Sequence, residues 1–494
     1  MAKDKFNLAD RINSGGVNTL RSKLFLVAKL SWPAIMAQLS TILMEYIDAS
    51  MVGRLGAAPA ASIGLMATTT WLFWGLGTAT ATGYAVQVAH LVGARRDRDA
   101  RGVLRQSIVV VLSLAVILGL VGLAIAPKLP LWLGGNSDIV ADSTAYFGIF
   151  AISLPMLFMS YLASSMLRCS GNMLVPGILN VLMCALDVVF NFIMIFPTRS
   201  VSLAGVSFTM PGAGMGVTGA ALGTLFAEIV AGGYLLYYLL HRSDKLSHPA
   251  RGVSHWWVVT RSTFRRACTI SWPLLIERVV MCSAQIFITA IVAPLGTAAI
   301  AANSFGITAE SLCYMPGYGI SDASTTLVGQ SLGAGRRPLA ASFGRITICL
   351  GMVVMAVLGA VMWLFATEMM SFFTSDSDVI ALGTEALRTE AWAEPMFGAA
   401  IVTYGVFIGA GFTVTPAIIN FSCIWGVRIT LSLLLTSSYG LFGVWLAMAV
   451  ELTVRGLIFL FVFAKGHWLR KAIRLTPDPL LTTQQIQQPD EYEL

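Results

Sequence analysis

The chain reads as twelve long apolar segments parted by short polar ones. Glycine, proline and charged residues mark the breaks. They place the segments at roughly 25–52, 60–90, 103–126, 138–166, 172–196, 214–240, 265–293, 298–330, 340–366, 382–409, 414–437 and 440–465. Runs such as Ser107 to Ala126 are continuously apolar, whereas membrane-barrel strands alternate over about ten residues. A spanning helix needs about 20 mostly apolar residues, and a helix pairs its own backbone groups without water. The pattern therefore predicts an all-α integral membrane protein with twelve transmembrane helices. Several segments exceed the thickness of the hydrocarbon core, so tilt or extension beyond it is expected.

The segments repeat. A shift of 240 residues lays Ser31-Trp32-Pro33 on Ser271-Trp272-Pro273, Leu55-Gly56 on Leu295-Gly296, and Gly93-Ala94 on Gly333-Ala334. Pro155-Met156 falls on Pro395-Met396, and Gly171, Pro176 and Asn180 fall on Gly411, Pro416 and Asn420. Between residues 31 and 96 the shift gives 15 identities in 66 pairs, including the shared Trp-Pro. Six spans per repeat is an even number, so both halves enter from the same side and are parallel repeats. The chain divides into an N-terminal segment (1–24), a first six-helix lobe (25–240), a linker (241–264), a second six-helix lobe (265–466) and a tail (467–494). Two such lobes around a cleft suit alternating access by rocking one lobe on the other.

Composition and charge sharpen this picture. Hydrophobic residues make up 56% of the 494 and charged residues 12%, against about a quarter charged in soluble domains. Of the 32 Lys and Arg, 24 fall on the side of the termini, as at Arg95, Arg96, Arg98, Arg242, Arg336, Arg337 and Lys465. Arg54, Lys128, Arg199 and Arg388 lie on the other side. The positive-inside rule puts both termini in the cytoplasm, as for an inner (plasma) membrane protein. This distribution accounts for the net charge of +7 without nucleic acid. Residues 1–24 are polar and the first apolar run can span, so no cleaved signal peptide is expected. The seven cysteines are scattered through apolar segments with no CxxC pair and read as buried small residues.

Charged groups at membrane depth are costly and turn toward the protein interior. In the first span Gln38, Thr41, Glu45 and Asp48 are spaced 3, 4 and 3 apart and share one helix face. Asn180, Cys184, Asp187 and Asn191 share a face of the fifth, and Asn303, Glu310 and Tyr314 one of the eighth. Glu277 adjoins Arg278 in the seventh span, about 100° away around the helix, so the two are not expected to pair directly. Glu451 and Arg455 are four apart and read as a structural pair. Arg428 reads as neutralising a nearby acid, and Glu228 stands alone. A desolvated carboxylate exchanges protons more readily in the working range, and carboxylates with amide oxygens can hold Na⁺ instead. Asp48 and Asp187 are the leading candidates.

The run Gly212 to Gly219 contains a GxGxxG but opens a membrane helix and follows no strand of a βαβ unit, so it reads as a loop and close packing. There is no GxxxxGKS/T, HExxH or serine elbow, and the five histidines form no metal cluster. No cofactor and no enzymatic activity are expected.

Asp48-Ala-Ser-Met-Val-Gly-Arg-Leu-Gly56 resembles the first-helix signature of multidrug and toxic compound extrusion (MATE) transporters, members of the wider MOP-flippase superfamily. Thr326-Leu-Val-Gly-Gln-Ser-Leu-Gly-Ala334 resembles the family's motif after the eighth helix, with Val92-Gly-Ala94 as its first-half partner, and Leu186-Asp187 with Asn191 resembles its fifth-helix acid. The resemblance covers about residues 25–466. It implies that Asp48 and Asp187, with Asn180, Asn191 and Glu45, form a first-lobe site coupled to H⁺ or Na⁺. Pro33 matches a proline tied to bending of the first helix, physically reasonable for a residue lacking an N–H. Glu277 resembles a second-lobe cation ligand, with Glu310 and Asn303 as further candidates there. Two positions depart from the pattern. Met183 replaces the asparagine often found before the fifth-helix acid, leaving Asn180 and Asn191 to substitute. The tenth-helix aspartate of one Na⁺-coupled branch falls near Phe397.

The expected function is export of amphipathic, often cationic, organic compounds by H⁺ or Na⁺ antiport, in a monomer surrounded by membrane lipids. A flippase for a lipid-linked saccharide would need a more cationic cleft. A membrane-embedded enzyme would need a catalytic constellation that the chain does not display.

Overall fold

The structure, a computed structural model, describes residues 7–14, 16–203, 206–249 and 257–472. Parts of the N-terminal segment, the linker and the tail expected above (1–6 and 15, 250–256, 473–494) lie outside the described residues. The first half comprises α1 (Leu8–Asn13), α2 (Leu20–Gly53), α3 (Ala57–Gly93), α4 (Asp97–Ile125), α5 (Leu129–Trp132), α6 (Ser137–Cys169) and α7 (Leu174–Ile195). An antiparallel hairpin follows, β1 (Pro197–Leu203) and β2 (Val206–Ala213), with Ser200 opposite Thr209, and then α8 (Gly216–His241). The second half comprises α9 (Arg261–Val292), α10 (Thr297–Gly333), α11 (Arg337–Leu364), α12 (Ala366–Phe373), α13 (Ser377–Glu390), α14 (Glu394–Gly409), α15 (Val414–Cys423), α16 (Thr430–Ala464) and α17 (His467–Lys471).

The duplication governs these boundaries. α3 and α10 begin and end 240 residues apart, and α6 is matched at the same shift by α13 and α14 together. Where α6 runs straight through, its counterpart bends by 61° between Glu390 and Glu394. The hairpin has no counterpart in the second half. Removing it aligns Gly216 with Gly440, and both take a left-handed φ, 56° and 57°. At Gly440 this conformation, open to a residue without a Cβ, divides a helical run that otherwise continues from Val414 to Ala464 through a π-helical turn at Ile424–Ile429. Among the described residues, eight helical runs can cross a membrane by length and composition, and nine when the bent pair counts as one span. Adding the 37-residue α3 and α10, which are more polar, and dividing the long run at Gly440 gives the twelve spans expected.

Large apolar side chains point outward along these helices, among them Ile117, Leu120, Val353, Val357, Leu433 and Leu434. Such a surface is costly in water and suits lipid. The halves meet through α2 against α10 and α3 against α9. At the end where α2 begins and α16 finishes, here the basic end, α3 and α10 cross at Gly93 and Gly333. A Cβ on Gly93 would lie 2.7 Å from the Gln330 carbonyl carbon, and one on Gly333 2.7 Å from that of His90. Only glycine allows this approach. The short α1 is not a free polar segment. Leu8, Ala9 and Ile12 are buried where the halves join, beside Leu327 and Phe343, and Asn13 donates to the Gly93 carbonyl at 2.9 Å.

Candidate functional site

Asp48 lies near the far end of α2 and Asp187 in α7, and a single amide joins them. Asn191, one turn beyond Asp187, donates from Nδ2 to Asp48 Oδ1 at 2.9 Å and to Asp187 Oδ2 at 2.9 Å. The i, i+4 spacing of Asp187 and Asn191 turns both side chains toward α2. Asp187 is 0% exposed, and its second oxygen, like Asn191 Oδ1, has no hydrogen-bond partner among the described residues. Buried polar atoms are normally satisfied, and these two oxygens are acceptors left without a donor among the described residues. Gly223 of α8 makes the arrangement fit, since a Cβ there would lie 2.9 Å from the Asn191 backbone nitrogen and still closer to its Oδ1.

Next to this cluster the first half lines a partly open cavity of about 490 Å³. Glu45 and Glu228 line it, with Trp71, Trp74, Tyr146 and Tyr161 supplying aromatic walls. Asn180 also lines it, but its amide is turned to α2, donating to the Ala37 carbonyl at 2.9 Å and Thr41 Oγ1 at 3.0 Å. It therefore ties α7 to α2 below the aspartates and does not join them. Pro33 sits inside α2, which is helical on both sides of it. Gly177 of α7 packs against the Pro33 ring and carbonyl.

The second half builds its polar sites differently. Glu277 of α9 accepts from Tyr404 Oη at 2.6 Å and from Asn420 Nδ2 at 2.6 Å. Asn420 stands at the position of Asn180 and Glu277 at that of Ala37, so the same inter-helix tie is made to a carboxylate in place of a carbonyl. Arg278 turns away to α3, its side chain against Gly75, in line with the expectation that the two neighbours do not pair. Glu310 is elsewhere, buried with Glu390 and Glu394 and with Arg428 near it. Both of these further acids are 0% exposed. They lie four residues apart, with Glu394 one turn before Phe397, the position read above as lacking an acid. Their i, i+4 spacing is the sequence signal of this acidic pair. Asn303 is apart from both groups, accepting from Trp445 Nε1 at 3.1 Å. Glu451 and Arg455 form the expected ion pair at 3.1 Å.

The halves are also joined toward the basic end by polar contacts. Arg168 pairs with Asp322 at 2.8 Å. Gln330 of α10 donates to the Cys169 carbonyl at the end of α6 (2.8 Å), and His90 Nε2 of α3 meets the Gly409 carbonyl at the end of α14 (2.7 Å). Gln330 is His90 shifted by 240 and Gly409 is Cys169 shifted by 240, so these two bonds are one contact made twice with the halves exchanged.

A duplicated bundle of membrane-long helices, with acids and amides turned inward, is the architecture of a secondary transporter. The chain belongs to the MatE family, whose model matches residues 33–193 and again 273–434, one copy in each half. Among its relatives is a protein described as "Probable multidrug resistance protein NorM" from Thermotoga maritima, 25% identical over 451 residues that cover 90% of this chain and 93% of the relative. A protein of the same description from Brucella suis biovar 1 is 27% identical over 450 residues, covering 87% and 90%. Similar solved structures include an outward-facing conformation of a multidrug resistance MATE family transporter of the MOP superfamily, with a TM-score of 0.83 at 20% identity over 91% of this chain and 97% of that one. The Vibrio cholerae MATE transporter VcmN in its bent form gives 0.79 at 20% identity over 91% and 98%.

Proposed function

We propose that this protein exports amphipathic, cationic organic compounds across the plasma membrane in exchange for H⁺ or Na⁺, alternating access between its two lobes with both termini in the cytoplasm. One observation carries the reading: two carboxylates from different helices share one bridging amide beside an acid- and aromatic-lined cavity. Two like charges so placed repel unless a proton or cation neutralises one of them. The occupant of Asp48, Asp187 and Asn191 therefore sets how strongly α2 is held to α7. Emptying the site loosens that tie, and filling it draws the helices together. A coupling ion can shift the lobes only through its different affinity for the two arrangements, and an α2 that packs on α7 and on α10 links the site to the joint between the halves.

The cavity fits the proposed substrate class. Glu45 and Glu228 offer negative charge, and tryptophan and tyrosine faces attract organic cations at about 0.5–2 kcal/mol each. Arg168 also lines it, but that charge is matched by Asp322. A lipid-linked saccharide with its pyrophosphate would meet net acidity here. In the second lobe, Glu277 and the Glu310, Glu390 and Glu394 group are proposed as a separate cation-responsive region.

The contacts at the basic end (Arg168 to Asp322, His90 to Gly409, Gln330 to Cys169) would close the cytoplasmic side in this conformation. The test is release of a bound fluorescent organic cation from purified protein during titration with acid or with Na⁺. Release by one ion, lost in Asp48→Asn, is expected. Release that neither ion promotes would refute the proposal.

A further inference from the structure

The second half carries a groove of about 770 Å³ between α11, α13 and α16, lined wholly by residues of that half. Its wall is unusual for a helix bundle in lipid. Glu385 and Arg388 are exposed on α13, Trp392 is 79% exposed, and Trp363 closes one side from the end of α11. Charged side chains facing hydrocarbon are costly, so this set needs a reason.

The duplication supplies an internal control. The positions 240 residues earlier are Leu123, Ala145, Gly148 and Ile152. In the first half the same place in the fold is apolar or small, as a lipid-facing surface should be. The charges and tryptophans are therefore no requirement of the fold.

Depth points to the ligand. α13 and α14 together match α6, which has 33 residues and is about 50 Å long at 1.5 Å per residue. That exceeds a hydrocarbon core of about 30 Å by about 10 Å at each end. Glu385 and Arg388 lie two to three turns in from Ser377, the far end of α13, so they sit close to the headgroup boundary. Tryptophan is enriched at that level. The Arg388 guanidinium stacks over the Trp363 ring at 5.5 Å and its Nε donates to the Trp363 carbonyl at 3.3 Å. This holds the arginine in place in the groove wall. Glu385 makes no ion pair among the described residues.

We propose that this groove binds one phospholipid of the leaflet away from the termini, with a headgroup that joins a phosphodiester to a primary ammonium. Arg388 takes the phosphate, to which guanidinium donors bind bidentately. Glu385 accepts from the ammonium, whose charge also faces the Trp392 ring. The acyl chains run down the apolar part of the groove past Leu446, Val450 and Val454.

Native mass spectrometry of delipidated protein, titrated with phosphatidylethanolamine, phosphatidylcholine and phosphatidylglycerol of matched chains, tests the proposal. The ethanolamine lipid is expected to be held at least about tenfold more tightly than the glycerol lipid, in keeping with hydrogen bonds to charged groups. Choline, with no N–H to donate, should fall between them. Glu385→Gln should erase the preference for ethanolamine, and Arg388→Gln should weaken both zwitterionic lipids. Both side chains are exposed, so neither change burdens folding, and Val454→Trp blocks the groove without touching a charge. Equal retention of all three lipids would overturn the proposal, as would a preference for the ethanolamine lipid that survives Glu385→Gln or ethanolamine-lipid binding that survives Val454→Trp. Displacement of the lipid by a transported organic cation retained in its place would also overturn it, by making the groove part of the substrate's path.

Discussion

Replacing Gly223 by alanine puts one methyl group where Asn191 now sits. The new Cβ would lie 2.9 Å from the Asn191 backbone nitrogen and within the van der Waals shell of its Oδ1. Ordinary carbon contacts are about 3.5–4.0 Å, so the amide must swing away or α7 and α8 must part by most of an ångström. Overpacking of this kind costs about 1–3 kcal/mol. If the amide swings, the two bonds to Asp48 and Asp187 are lost, and hydrogen bonds to charged groups are worth about 1.5–3 kcal/mol each. A glycine with no chemistry of its own should thus abolish ion-driven transport as fully as Asn191→Ala. Thermal unfolding in detergent and efflux of a fluorescent cation separate the two effects. Adding Asn191→Ser to Gly223→Ala removes the clash with the side-chain oxygen but not the 2.9 Å approach to the backbone nitrogen, and should restore part of the melting temperature while transport stays lost. Normal efflux by Gly223→Ala at wild-type expression would refute the claim that the bridge matters.

Other consequences are equally direct. Glu451→Ala leaves Arg455 buried without its partner and should destabilise the protein by about 3–5 kcal/mol, while Glu451→Ala with Arg455→Leu should melt close to wild type. Tyr404→Phe strips one hydrogen bond from the Glu277 carboxylate and should cost about 1–3 kcal/mol, read as a lowered unfolding midpoint. Asp322→Asn breaks the inter-half pair to Arg168 and should raise the labelling rate of a cysteine placed at Thr326 by a reagent applied from the cytoplasmic side, and an unchanged rate would remove this pair from the closure. Glu390→Gln with Glu394→Gln relieves like-charge crowding around Glu310 and should raise stability, whereas a large loss would mean that the acids hold a bound cation.

Much of this was legible in the sequence because lipid imposes strict patterns. Twelve apolar runs and the 240-residue register followed from periodicity, and the structure keeps both as far as the hairpin, after which the shift falls to 224 residues. Other features had no periodic signature. The α1 wedge is six residues long, and its burial depends on a site made only when two halves meet. Nothing in the spacing of Asn180 said that its amide would satisfy Ala37 and Thr41 while Asn191 reached the aspartates. That choice depends on how α2 and α7 cross. Asn303 shared a face with Glu310, yet Trp445 claims its oxygen. The hairpin at 197–213 lies between spans, where apolar pattern is silent. A tyrosine in an apolar run such as Tyr404 carries no pattern of its own, and only the fold brings the Glu277 carboxylate to its hydroxyl.

The most direct test of the coupling site uses purified protein in liposomes, with a proton or sodium gradient imposed and an organic cation dye as cargo. Wild-type protein should move dye against its gradient under one of the two ion gradients and not without it. Asp48→Asn and Asp187→Asn, folded and inserted to the same level, should leave the dye at equilibrium. Gradient-driven accumulation that persists in both variants would contradict the account, whatever the fate of the duplicated fold.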